Sequence, residues 1–127
     1  MEKTVIRTES APAPFQGAPY NQAIRAGELI FVAGQLGLEP GDTSVEGDVA
    51  TQTEQALRNL AAILEAAGSS LDKLVKTSVF LQDLGDFAAM NEVYARHVGD
   101  RPPARSTFEV AKLPSGALVE IEAVAHI

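Results

Sequence analysis

VATQTEQALRNLAAILEAAGSSLDKLVKTSVFL, residues 49–81, changes its apolar period part-way along. In the first half Val49, Ala56, Leu57, Leu60, Ile63, Leu64 and Ala67 recur at three- and four-residue steps, which puts them on one stripe of a helix. Thr51-x-x-Glu54 reads as a capping box at its start, Glu54 and Arg58 as a favourable i,i+4 pair, and Gly68 as its stop. From Leu74 to Leu81 the period drops to two. Val75, Thr77, Val79 and Leu81 alternate with Leu74, Lys76, Ser78 and Phe80, the pattern of a strand.

On the C-terminal side a second helix follows, with Asp86 as its expected cap, Phe87, Met90, Asn91, Tyr94, His97 and Val98 as its inner stripe and Gly99 as its end. Pro102 and Pro103 hold the next residues extended. Ala104–Leu113 and Ala117–Ala125 then read as two strands of a closing hairpin around Pro114-Ser115-Gly116. On the N-terminal side, residues 2–8 read as a short edge strand, and the Pro- and Gly-rich run 11–19 as a structured loop. Asn21–Arg25 and Leu29–Ala33 flank Gly27 as a hairpin, and an acidic turn runs from Glu39 to Asp48. Strands and helices do not alternate strictly. The expected class is therefore α+β in two layers, a mixed sheet with both helices on one face, rather than a doubly wound parallel sheet. The other face has no helix to cover it, and the alternation of Val119, Ile121, Ala123 and Ala125 suggests that part of it is apolar and covered by another subunit.

The 127 residues have room for one domain, 1–127, and their 46% hydrophobic and 21% charged content is that of a chain that folds. No apolar run reaches the ~20 residues of a membrane span, and the charged start lacks a signal peptide's apolar core, so the expected location is cytoplasmic. The absence of Cys removes disulfides and thiolate chemistry. A net charge of −7 argues against nucleic acid and anionic membrane surfaces as partners.

His97 and His126, the only histidines, have no ligand spacing and suit incidental or helix-dipole roles better than a metal site. There is no nucleophile elbow and no phosphate-binding glycine fingerprint, so no nucleotide cofactor is implied. What remains is charge on strands. Arg105, Thr107 and Glu109 share one face of their strand, and Leu118, Glu120, Glu122 and Val124 one face of the last. A cross-strand salt bridge is one reading; recognition of a small carboxylic acid by the planar guanidinium fork is the other. Tyr20 is either a loop anchor or a lid over a pocket, and Asn91 either caps a loop carbonyl or lines a cleft.

Arg101-Pro102-Pro103-Ala104-Arg105-Ser106-Thr107, Leu113-Pro114 and Gly116–Ala123 resemble a signature of the RidA (YjgF-like) reactive-intermediate deaminase family. Pro19–Ala23, Val32–Gln35, Gln55–Leu60 and Asn91-Glu92-x-Tyr94 resemble it as well, so the similarity spans nearly the whole chain. The resemblance implies a chorismate-mutase-like fold, a homotrimer with sheets inward, and a site in each inter-subunit cleft. It implies cofactor-free, metal-free hydrolysis of 2-imino acids, 2-iminopropanoate (the tautomer of 2-aminoacrylate) and 2-iminobutanoate, to 2-keto acids and ammonia. By position, Arg105 resembles the arginine that binds the substrate carboxylate. Glu120 resembles the acid that holds the attacking water with the main-chain carbonyl of residue 107. Tyr20, Ala33, Gly34, Asn91 and Thr107 match cleft-lining positions, some contributed by the neighbouring subunit. Thr107 replaces a common Cys and Ala33 a common Ser. The alternative is a trimeric module that binds small 2-keto carboxylates without turnover. A third reading, the ribonuclease or chaperone-like behaviour associated with the family, ranks last on the charge.

Overall fold

The computed structural model describes residues 1–127. Strands β1 (Lys3–Ile6), β2 (Ala23–Ala26) and β3 (Leu29–Leu36) precede helix α1 (Val49–Ala66); β4 (Leu74–Leu81), helix α2 (Phe87–Val98), β5 (Ala104–Glu109) and β6 (Val119–His126) follow. The six strands form one mixed sheet in the order β1-β2-β3-β6-β4-β5, in which only β4 and β5 run parallel. The N-terminal edge strand and the β2–β3 hairpin form as expected, with Gly27 at φ 61 in its turn.

The expected closing hairpin does not form. A strand–helix–strand crossover returns its second strand parallel to the first, so β4–α2–β5 places β5 on β4. The other side of β4 is left for β6, which inserts between β3 and β4. The intervening segment crosses the end of β4: Val110 N donates to Leu81 O, Gln82 N to Leu118 O, and Leu113 N to the Gln82 side-chain oxygen. Strand β5 accordingly stops at Glu109, short of Leu113, and β6 begins at Val119 rather than Ala117.

Both helices lie on one face. Leu57, Leu60, Ile63 and Leu64 of α1 are fully buried with Val79, Val119 and Ile121 of the sheet, and Tyr94 of α2 shares its hydroxyl with Thr77 Oγ1 of β4 at 2.6 Å. Val119, Ile121, Ala123 and Ala125 therefore belong to the helix-covered core, not to the open face. The open face carries a different row, set by register: Val5 opposite Ile24, Ile24 opposite Phe31, and Phe31 opposite Val124. Val5 is 43% and Phe31 45% exposed, so an apolar band crosses four strands without cover.

Helix α1 matches its expected extent, with Gly68 beyond it at φ 83. Its cap is Asp48, whose carboxylate accepts from Thr51 N at 2.9 Å, so Thr51 caps nothing. Glu54 is free to pair with Arg58 Nε at 3.0 Å and with His97 Nε2 of α2 at 2.8 Å; His97 thus ties the helices together. Asp86 makes no side-chain cap because a 3-10 turn, Leu84–Asp86, already leads into α2, with Asp83 accepting from Gly85 N. In the inner stripe of α2, Val93 is buried and Phe87 is exposed, because β5 offers Phe87 an arginine rather than an apolar neighbour.

Buried amides hold the loops that the sheet does not. Asn59 of α1 donates to Leu36 O at 3.1 Å and to Leu38 O at 2.8 Å while accepting from Gln55, and Gln22 donates to Thr8, Ala11 and Pro12 carbonyls and accepts from Thr8 N. Asn59→Leu keeps the branched shape but leaves the buried Leu38 carbonyl unpaired. It is expected to lower unfolding free energy by about 2 kcal/mol in urea titration.

Candidate active site

Glu120 projects from the open face of β6, paired across the sheet with Leu36 of β3 and Phe80 of β4. Beside it β3 is irregular between Val32 and Gln35, and Gly34 sits in that irregularity. A Cβ on Gly34 would overlap the Glu120 carboxylate, so the glycine is what lets the acid lie against the β3 backbone. Burial pushes the Glu120 carboxyl above its ordinary value, and the like charge of Glu122 on the same face adds to the rise. A carboxyl held in this way keeps its proton to higher pH than an exposed one and is a candidate for proton exchange with a ligand in the cleft.

Tyr20, Ala33, Gly34 and Glu120 line one cleft of about 380 Å³. Tyr20 acts as an anchor as well as a wall: its hydroxyl accepts from Phe15 N, which shapes the loop over the cleft. Two turns flank it, Phe15–Gly17 and Pro114–Gly116, each with a left-handed non-glycine residue, Gln16 at φ 53 and Ser115 at φ 56, followed by Gly. Phe15, Ala18, Leu36, Leu38 and Pro114 add apolar lining, and of these only Pro114 stood out in the sequence, because they come from three separate segments.

Arg105 is on the other side of the sheet. It pairs in register with Thr77, which faces the helices, whereas Glu120 pairs with Phe80, three residues along β4 and hence on the opposite face. The guanidinium sits 4.8 Å from the centroid of the Tyr94 ring and 5.5 Å from that of Phe87, an aromatic cradle supplied by α2. Tyr94 is in turn fixed by Thr77. The ion pairs of the chain, Arg58–Glu54 and His97–Glu54, leave Arg105 with no carboxylate partner, so the cross-strand salt bridge of the sequence reading is absent. Thr107 shares the Arg105 face, and Asn91 lies on α2 between Phe87 and Tyr94, its Oδ1 buried without a partner. The residues selected from the sequence thus fall into two groups within one chain. Tyr20, Ala33, Gly34 and Glu120 form one; Arg105, Thr107 and Asn91 form the other.

Residues 8–127 match the family model described as Endoribonuclease L-PSP. The chain belongs to the L-PSP family, with RidA and YjgF proteins among its relatives. It is 51% identical over 125 residues to a RutC family protein of Pyrococcus horikoshii, covering 98% of both chains. It is 46% identical over 128 residues to the chloroplastic Reactive Intermediate Deaminase A of Arabidopsis thaliana, covering 100% of this chain and 67% of that protein. Two solved structures superpose closely on this L-PSP chain. RidA from the Antarctic bacterium Psychrobacter matches with a TM-score of 0.93 at 41% identity, covering 98% of this chain and 99% of that one. Escherichia coli TdcF with bound serine matches with a TM-score of 0.90 at 38% identity, covering 98% of each. The mixed six-stranded sheet with two helices is the fold these neighbours share.

The elevated Glu120 carboxyl has a consequence for stability. Its folded-state affinity for the proton exceeds that of the unfolded chain, so ionising it costs stability as pH rises above the ordinary value of 4.5. Glu120→Gln is expected to melt at a higher temperature than the parent at pH 7. The difference should shrink as pH falls and vanish below about pH 4, as thermal melts across pH 3.5–8 would show.

Proposed function

We propose that this L-PSP chain hydrolyses short 2-imino acids, 2-iminopropanoate and 2-iminobutanoate, to 2-oxo acids and ammonia, as a homotrimer with each site built between two subunits. The observation that carries the reading is the division of the machinery. An unpaired, ring-seated Arg105 lies on one face and a desolvated Glu120 on the other, two strands and roughly 10 Å apart across the sheet. One chain cannot bring both to a molecule of a few atoms. A neighbouring copy, placed by burial of the open band through Val5, Ile24, Phe31 and Val124, would bring its Arg105, Thr107 and Asn91 to this chain's Glu120 cleft. The deaminase relative supports the same chemistry.

The mechanism follows from the groups. The guanidinium fork takes the substrate carboxylate through two charge-assisted hydrogen bonds, and the aromatic cradle limits its rotation. The C2 of the imine is already electrophilic. Glu120, with the main-chain carbonyl of Thr107, holds a water against it, and the carboxylate accepts a proton as the oxygen bonds to C2. The protonated Glu120 then returns that proton to the amino nitrogen of the carbinolamine formed from the protonated imine, the C–N bond breaks with its electron pair left on nitrogen, and the hydroxyl gives its proton to the Glu120 carboxylate as the carbonyl forms; ammonia takes that proton up and leaves as ammonium. The net change is addition of water and loss of ammonia. No electrons are transferred, so the reaction itself calls for no oxidant or reductant.

The second reading is a trimeric module that binds small carboxylates without turnover, favoured by the serine bound to the TdcF relative. Ribonuclease action, which the family's description suggests, sits poorly with a net charge of −7.

The test supplies imines in place with a serine or threonine dehydratase and follows 2-oxo acid release. Arg105→Lys, which keeps the charge and loses the fork, should reduce kcat/KM by at least a hundredfold; unchanged release would overturn the reading. Glu120→Gln should bind product yet fail to turn over, whereas a pure binding module shows no turnover in the unmodified protein. Mixed and reassembled Arg105→Ala and Glu120→Gln subunits should regain about a quarter of the parent activity, the random-pairing expectation for sites shared between neighbours. Gly34→Ala, which forces the Glu120 carboxylate aside, should lose at least tenfold in kcat while its melting temperature stays close to the parent's.

A further inference from the structure

Thr77 is the polar residue in the inward row of β4. Val79 and Leu81 beside it are fully buried apolar side chains, and Thr77 is as buried as they are. Valine has nearly the same shape and would suit that row without a hydroxyl to satisfy, since a buried hydroxyl left unpaired destabilises the fold. The Thr77 hydroxyl meets one side chain, the Tyr94 hydroxyl of α2, at 2.6 Å.

The pair spans two strands. Thr77 stands in register with Arg105 on the adjoining β5, so the Tyr94 ring, tied by its hydroxyl to β4, reaches the guanidinium on β5 at 4.8 Å from the ring centroid. The other ring of the cradle, Phe87, lies at 5.5 Å, is largely exposed and has no polar group to anchor it. Tyr94 is buried and anchored, and is therefore the fixed half of the seat. Burial raises the Tyr94 phenol above its ordinary value, outweighing the Thr77 hydrogen bond and the Arg105 charge that lower it, so the ring stays neutral. A neutral ring holds the guanidinium by its face and leaves the positive charge for a carboxylate. Two parallel hydrogen bonds to a carboxylate need the fork held in one plane, and an arginine free to turn loses that freedom on binding. With no carboxylate of the chain to orient it, Arg105 takes its aim from the ring beside it.

We infer that Thr77 and Tyr94 are positioning residues for the carboxylate-binding arginine: the hydroxyl pair fixes the ring, the ring fixes the plane of the Arg105 fork, and a buried residue of β4 that touches no ligand thereby sets the affinity for small 2-imino and 2-oxo acids. The inference rests on the proposed assignment of the substrate carboxylate to Arg105 and does not require turnover.

Calorimetric binding of 2-oxobutanoate to the full-length protein reads the affinity, and imines supplied in place by a threonine dehydratase read KM and kcat. Thr77→Val and Tyr94→Phe should each weaken binding and raise KM by about tenfold, with kcat within about threefold of the parent, because the loss falls on holding the carboxylate rather than on the chemistry at C2. Thr77→Ser, which keeps the hydroxyl on a smaller side chain, should bind within about threefold of the parent. In the double variant Thr77→Val/Tyr94→Phe no buried hydroxyl is left unpaired. Its melting temperature should recover towards the parent's while binding stays about tenfold weak, the two losses being one and the same. Lower melting temperatures in the single variants with affinity and KM unchanged would overturn the inference, the pair then serving only to satisfy a buried hydroxyl. Binding that follows the expected pattern in a parent with no turnover would support the positioning role and overturn the deaminase. Binding that Arg105→Ala leaves unchanged, or neither binding nor turnover in the parent, would overturn both.

Discussion

Val119 and Ile121 of β6 are fully buried against the helices, while Glu120 between them faces away, and this alternation along one central strand organises the molecule. Its inward residues join the stripe of α1 and the inner residues of β3 and β4 into one core. Its outward residues set Glu120 and Glu122 on a face that no helix covers. A one-residue slip of β6 would bury both acids and expose the core residues, so the same burial that stabilises the sheet also fixes the register of the candidate acid. Because β6 is flanked by β3 and β4, the two strands that adjoin Glu120 supply its neighbours, Gly34 and Leu36 on one side and Phe80 on the other.

Around that strand, polar side chains do the work of secondary structure in the irregular segments. Gln52 illustrates it: from inside α1 its amide donates to Gly47 O and accepts from Leu118 N, joining the acidic loop before α1 to the entry of β6. Gln22 and Asn59 act likewise on the loops that wall the cleft. Each buried amide satisfies main-chain groups that no strand partner reaches, which holds the loops while leaving their backbone irregular enough to form a pocket. The close approach of Gly37 to the backbone of Gln52 serves the same packing, since any side chain there would drive β3 off α1.

The electrostatics are arranged in opposition. In a chain of net charge −7, Arg105 is surrounded by aromatic faces rather than by acids, which leaves its hydrogen-bonding fork unspent. Glu120 is placed where water is scarce and a second carboxylate is near, which favours its protonated form. The two conditions, a cation without its counter-ion and an acid whose ionised form burial disfavours, are costly to stability and suited to binding an anion and moving a proton. Their location on opposite faces of the sheet means that a single chain does not present both to one small ligand.

How much of this was legible depended on the distance over which each signal acts. The stripe of α1, the stop at Gly68, the turn at Gly27 and the strand period of Leu74–Leu81 are local, because an apolar spacing or a left-handed glycine acts within a few residues; all appear in the structure. The alternation of Glu120 with Val119 and Ile121 and the shared face of Arg105 and Thr107 were equally local, since strand alternation requires only neighbours; which of the two faces of β6 the helices cover was not, and the reading had put Val119 and Ile121 on the open one. The caps were misread because Asp48 and Thr51 both offer a suitable oxygen, and only the geometry of the first turn decides between them. The resemblance named candidate site residues and implied that a neighbouring subunit contributes some of them, but not which face of the sheet each one takes. Strand partnership, the aromatic cradle for Arg105, the wall of the Glu120 cleft and the separation of the two charged groups were decided by tertiary structure alone. They depend on the crossover that sends β5 to the edge and lets β6 into the centre, and a choice between the two sides of β4 is made by packing across the whole sheet, which no short stretch of sequence encodes.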